Sequence, residues 1–138
     1  MGTTETIPGG HNVARILVTD DNARLRAVLR DILTQAGYEV ETAGNGIEAC
    51  QILDRLPVDL LITDIVMPDK EGIQTIAGLH RERPDLRIIA MSGEGSDGAG
   101  FYLEMAREFG ADITLTKPFS MAQILGAVEG LVGAAKPN

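Results

Sequence analysis

Short apolar runs alternate with longer segments of helical period five times along this chain. The runs are rich in β-branched residues and lie at 15–19, 39–43, 59–63, 87–91 and 112–116. Strands that alternate with helices form parallel sheets, because each helical crossover returns the chain to the same edge of the sheet. The pattern therefore predicts an α/β fold with five parallel strands and five helices. The second run alternates polar and apolar residues, which is typical of an edge strand.

Apolar residues spaced three and four apart predict which side of each helix faces the sheet. The predicted inward residues are Leu25, Val28, Leu29, Ile32, Leu33 and Ala36 in the first helix, Ile47, Cys50 and Leu53 in the second, Ile73, Ile76 and Ala77 in the third, Tyr102, Met105, Ala106 and Phe109 in the fourth, and Met121, Ile124, Leu125, Val128, Leu131 and Val132 in the fifth. The first and fourth helices are predicted to end at Gly37 and Gly110, and Ser120 is the predicted N-cap of the last helix.

The chain has 138 residues and is 44% hydrophobic, which suits one domain with a substantial core. We expect a flexible leader at 1–12, one folded unit at 13–134, a tail at 135–138 and no output domain. Acidic residues outnumber basic ones by 20 to 12, and the net charge of -8 disfavours nucleic acid and anionic membranes as partners. A lone cysteine, no transmembrane run and no signal peptide favour the cytoplasm.

Five polar side chains directly follow predicted strands. They are Asp20, Asp21, Asp64, Ser92 and Lys117. In an open parallel sheet ligands bind at the carboxyl ends of the strands, so we expect these side chains to meet at one edge.

Three adjacent carboxylates repel one another, so they must either hold protons or bind a cation. Mg²⁺ suits them, because it takes one or two carboxylates and leaves room for a phosphate oxygen. The ammonium of Lys117 and the hydroxyl of Ser92 suit the oxygens of a phosphoryl group. Asp64 is the predicted nucleophile, since it ends the central strand. The Asp20–Asp21 pair is predicted to bind the metal ion.

Four motifs in this order resemble the receiver domain of bacterial two-component response regulators, of the stand-alone CheY-like type. They are Asp20-Asp21, Asp64-Ile65-Val66-Met67-Pro68, Ser92-Gly93, and Gly110-Ala111-Asp112 leading to Lys117-Pro118-Phe119. The resemblance spans about Arg15 to Val132. It implies a flavodoxin-like, doubly wound sheet with strand order 2-1-3-4-5.

The resemblance also implies a role for each matching residue. Asp64 would accept a phosphoryl group from a sensor histidine kinase or a histidine phosphotransfer protein. Mg²⁺ would be bound by Asp21, Asp64 and the backbone carbonyl of Val66, with Asp20 acting through water. Ser92 and Lys117 would bind the phosphoryl group, and the Lys117–Pro118 peptide would be cis. Such a domain assists its own phosphorylation and dephosphorylation but is not a turnover enzyme.

One position departs from the family pattern. Thr114 stands where the family usually has an aromatic residue that reports phosphorylation at the surface. The glycine-rich loop Gly93–Gly100 is the alternative carrier of that readout. We expect output through a downstream protein or a second copy of the chain, bound at the fourth helix, fifth strand and fifth helix, with Phe101 and Leu103 as candidate contacts.

Two enzymatic alternatives fit the residues less well. Residues 93–98 match G-x-G-x-x-G, but they follow the fourth strand, whereas a dinucleotide fingerprint belongs in the first βαβ unit. An aspartate-nucleophile phosphatase would need an acid two residues after Asp64, where Val66 stands.

Overall fold

A computed structural model describes residues 13–65, 71–93 and 99–133. The predicted leader and tail lie outside this part of the chain. The described elements are β1 (Arg15–Thr19), α1 (Ala23–Gln35), β2 (Glu39–Ala43), α2 (Gly46–Arg55), β3 (Leu60–Asp64), α3 (Glu71–Glu82), β4 (Arg87–Ser92), α4 (Ala99–Phe109), β5 (Ile113–Thr116) and α5 (Met121–Val132).

The five strands form one parallel sheet in the order β2-β1-β3-β4-β5. This confirms the predicted fold class, the strand order and the position of β2 at an edge. The observed β3 is shifted by one residue from the predicted run 59–63, and Asp64 is its last residue and pairs with Met91 of β4.

Each face of the sheet carries its own apolar core, because successive side chains of a strand point to opposite faces. Ile16 and Val18 of β1 pack on one side with Leu29 of α1 and Ile124 of α5. Leu17 packs on the other side with residues of α2, α3 and α4. The central strands are therefore buried on both faces, as their nearly continuous apolar sequence predicts.

Several predicted inward residues are exposed instead. They are Val28, Ile47, Cys50, Phe109 and Met121, and Ile47 retains 74% of its accessible surface. In α2 the buried residues are Ala49, Ile52 and Leu53. The helix is therefore rotated from the predicted orientation, and a small alanine rather than Cys50 faces the sheet.

The predicted helix boundaries that lie in the described part are confirmed. Ser120 caps α5 with a reciprocal hydrogen-bond pair to Gln123. Gly37 and Gly110 have φ of 102° and 135°, which favours glycine after a helix. Among the described helices, none combines the length and hydrophobicity needed to cross a membrane.

Candidate functional site

The strand register brings the predicted polar residues to one edge of the sheet. Thr19 pairs with Thr63, so Asp20 follows β1 directly beside Asp64 at the end of β3. Ser92 ends β4 and pairs with Thr116 of β5, after which Lys117 follows. Residues almost a hundred positions apart in sequence thus meet because their parallel strands end together.

Lys117 joins the two inner carboxylates of this cluster. Its Nζ lies 2.8 Å from Oδ2 of Asp20 and 3.3 Å from Oδ2 of Asp64. The side chain of Asp20 is 1% exposed and that of Asp64 is 13% exposed, whereas Asp21 is exposed. The carboxylates of Asp20 and Asp64 are thus shielded from water and paired with the ammonium group of Lys117, whereas Asp21 lies on the solvent-exposed side of the cluster.

The charges of the cluster affect the proton affinity of Lys117. Partial burial acts to lower its pKa, but the hydrogen bond to Asp20 and the negative charges of Asp64 and Asp20 outweigh burial and raise the pKa above its usual 10.5. Lys117 is therefore positively charged at neutral pH, and it compensates one of the three negative charges.

The acidic residues have the chemistry and spacing of a divalent-cation site. One carboxylate oxygen from each of Asp20, Asp21 and Asp64 lies within 4.8 Å of the others. Oxygen ligands with excess negative charge, open to water on the Asp21 side, fit a hard ion that keeps part of its hydration shell. The residues present therefore fit Mg²⁺.

Ser92 supplies a buried hydroxyl next to this cluster. The residue is fully buried, and its Oγ has no hydrogen-bond partner among the described residues. Buried polar atoms are nearly always paired, so an unpaired hydroxyl suits a ligand oxygen that arrives later. The backbone N–H of Lys117 donates to the carbonyl of Ser92 at 2.7 Å and links the two residues.

The remaining predicted features fall only partly within the described residues. The Lys117–Pro118 peptide is cis, as predicted. Val66 and residues 94–98 of the glycine-rich loop lie outside the described residues, as does the side chain of Phe101. Leu103 of α4 is partly buried and packs against the hydrophobic core, which favours a packing role over the predicted surface contact. Thr114 accepts a hydrogen bond from Arg107 of α4 at 3.4 Å.

Two residues of α1 and its cap were not predicted at the site. Nη1 of Arg26 donates to the backbone carbonyl of Asp20 at 2.6 Å, and the backbone N–H of Asn22 donates to Oδ1 of Asp20 at 2.8 Å. The N-cap role of Asn22, whose side chain accepts from Leu25, has a recognisable signal in the sequence. Arg26 has none, because a helical arginine usually indicates a solvated face.

Comparison with known proteins agrees with this geometry. Residues 16–129 match the response regulator receiver domain family, and the chain belongs to that family. Over 126 residues it is 37% identical to the DNA-binding transcriptional regulator NtrC of Azospirillum brasilense, covering 91% of this chain but only 26% of that protein. Over 115 residues it is 36% identical to the chemotaxis protein CheY of Thermotoga maritima, covering 83% of this chain and 93% of that protein.

A solved structure gives the same result. The crystal structure of response regulator protein TrrA of Thermotoga maritima, in complex with Mg²⁺-BeF, is similar to this chain with a TM-score of 0.74 and 30% sequence identity, covering 86% of this chain and 99% of that chain. The chain is thus a receiver domain with a CheY-like fold. It spans about a quarter of the length of the NtrC protein that it matches.

Proposed function

We propose that this receiver domain accepts a phosphoryl group on Asp64 from a sensor histidine kinase or a histidine phosphotransfer protein. The observation that carries the proposal is the convergence of three carboxylates within 4.8 Å, with Lys117 joining Asp20 and Asp64. Such a cluster is costly unless a cation binds it, and it provides a nucleophile beside positive charge.

Asp64 is the carboxylate best suited to attack phosphorus. Asp64 ends β3, its side chain is 13% exposed and it contacts Lys117, whereas the side chain of Asp20 is 1% exposed and Asp21 is exposed in the bend after β1. In the proposed transfer an Asp64 oxygen forms the new P–O bond while the P–N bond to the donor histidine breaks. The imidazole leaves with that electron pair, so the step needs no other co-reactant.

Mg²⁺ is the proposed cofactor, held directly by Asp21, Asp64 and the Val66 backbone carbonyl and through water by Asp20. When bound, the ion neutralises charge on the oxygens of the transferring group. Lys117 neutralises a further oxygen, and the buried Ser92 hydroxyl donates a hydrogen bond to the phosphoryl group. The same groups assist slow loss of the phosphoryl group to water, which ends the signal that the phosphorylated domain carries.

Output is proposed to run through protein contacts. With a net charge of -8 the chain is poorly suited to nucleic acid or anionic membranes, so a downstream protein or a second copy of the chain is the proposed partner. The proposed surface is α4, β5 and α5, where Phe109 and Met121 are exposed by 44% and 59%. The single cysteine suits the reducing cytoplasm, which is the proposed location.

Incubation with a small phosphodonor and Mg²⁺ tests the proposal. We expect the intact mass to rise by one phosphoryl group per chain, and hydroxylamine to remove that group, because acyl phosphates react with hydroxylamine. Donor consumption should stop near one equivalent apart from slow hydrolysis. Consumption of many equivalents without a labelled protein would instead indicate a phosphatase.

Replacing Asp21 by alanine should weaken Mg²⁺ binding by more than the roughly tenfold loss typical of an outer-shell partner, because a direct ligand is removed. Isothermal titration calorimetry measures the affinity. Asp85→Ala is the control, since Asp85 is exposed and lies in the loop before β4, at the opposite edge of the sheet. Equal Mg²⁺ affinity in the two variants would show that Asp21 is not a ligand.

A further inference from the structure

Every polar group of Asp20 is engaged by the protein. Its backbone N–H donates to the backbone carbonyl of Ala43 at 3.2 Å. Its carboxylate accepts from the backbone N–H of Asn22 and from Nζ of Lys117, both at 2.8 Å. Its backbone carbonyl accepts from Nη1 of Arg26 at 2.6 Å, the shortest of the four hydrogen bonds. Asp20 is only 2% exposed, so water does not substitute for these partners.

The bond from Arg26 is the one that bears on Asp21. The carbonyl of Asp20 belongs to the peptide unit that joins Asp20 to Asp21, and a peptide unit is planar. Holding the carbonyl therefore sets the direction in which the backbone of Asp21 leaves β1. Asp21 is exposed and lies in a bend, so its direction depends on such contacts.

Arg26 is well placed to hold this peptide unit. It lies in the second turn of α1 and is half-buried, and its guanidinium reaches back over the start of the helix. The same Nη1 and the Cζ also lie near Gly44 after β2, where a side-chain carbon would lie 3.4 Å and 3.8 Å from them. The rigid, planar guanidinium thus lies close to the residues that follow both β1 and β2.

We infer that Arg26 is a positioning residue for the Mg²⁺ site, acting through the Asp20–Asp21 peptide unit. The inference rests on the proposed function, because it concerns the same carboxylates. Charge alone predicts the opposite effect: a guanidinium near the cluster repels a cation, so its removal would tighten binding. The sign of the change in Mg²⁺ affinity therefore separates positioning from simple electrostatics.

The test compares three variants in calorimetric titrations with Mg²⁺. Arg26→Met should weaken binding by roughly tenfold, the loss typical of an outer-shell partner, and Arg26→Lys should recover part of it. Arg30→Met is the matched control, because Arg30 lies one turn further along α1 and donates to Thr42 at 3.2 Å, outside the acidic cluster. Its Mg²⁺ affinity should equal that of the wild type or slightly exceed it.

Phosphorylation kinetics give an independent readout. With a small phosphodonor, Arg26→Met should raise the Mg²⁺ concentration for half-maximal rate by the same factor, while the rate at saturating Mg²⁺ stays within about twofold of the wild type. A general loss of structure would lower the saturating rate as well, and circular dichroism checks the fold of each variant.

Two results would overturn the inference, and they are distinguishable. If the wild type binds Mg²⁺ and Arg26→Met binds it equally well or more tightly, the positioning role is wrong and the proposed function stands. If the wild type itself binds no Mg²⁺, the proposed function fails together with the inference.

Discussion

Replacing Asp64 by asparagine should abolish phosphoryl uptake from a small phosphodonor. An amide oxygen carries no negative charge and is a poor nucleophile toward phosphorus. The neighbouring Asp20 is a poor substitute, because its side chain is only 1% exposed. Intact-mass spectrometry after incubation with donor and Mg²⁺ measures the uptake.

The variant should still fold, since removing one of three mutually repelling carboxylates relieves unfavourable charge. Asp31→Asn is the control, because Asp31 is an exposed acid on α1 and its replacement changes the net charge equally. This control should be labelled like the wild type. Full labelling of Asp64→Asn would assign the phosphoryl group to another residue.

Replacing Gly110 by alanine should destabilise the fold by about 3 kcal/mol, the sum expected from a strained backbone and an overpacked contact. Gly110 follows α4 with φ of 135°, and a side-chain carbon there would lie 2.6 Å from both Cβ and Cγ of His80 on α3. The neighbouring helix would have to move, because Cβ of His80 is fixed to its backbone. Urea unfolding followed by circular dichroism measures the loss.

Gly126→Ala supplies a control of opposite sign. Gly126 lies inside α5, where an added side-chain carbon meets nothing within 4 Å. Alanine is the better helix former, so this variant should gain about 0.5–1 kcal/mol. A Gly110→Ala variant as stable as the wild type would mean that α3 and α4 can separate without cost.

The sequence was sufficient to predict the sheet and the residues at its edge, for two physical reasons. Strands buried on both faces are nearly continuously apolar, so β1, β3 and β4 are recognisable without their neighbours. Parallel strands end at the same edge, so polar residues that follow them converge whatever lies between. Asp20, Asp64 and Lys117 meet for that reason.

The orientation of the short helices was less predictable. In α2, Ile47, Cys50 and Leu53 have helical spacing, but so do Ala49, Ile52 and Leu53, and the second set is buried. The spacing of apolar residues cannot decide which of two overlapping helix faces is buried, because that depends on how the helix packs against the sheet. Small residues such as Ala49 carry little hydrophobic signal, although they allow the helix to approach closely.

The contact between Arg26 and Asp20 was also beyond sequence reasoning. It depends on a long side chain turning back toward the start of its own helix to reach a backbone carbonyl. A backbone acceptor leaves no mark in the residue types, so only the three-dimensional structure reveals the pair.

The most direct test of the account is to locate the phosphoryl group in the wild-type protein. Borohydride reduces an aspartyl phosphate to homoserine, and peptide mass spectrometry then identifies the position of that homoserine. The account predicts homoserine at position 64 and nowhere else. Homoserine at position 20 or 21, or an acid-labile phosphoryl group on His80 instead, would contradict it.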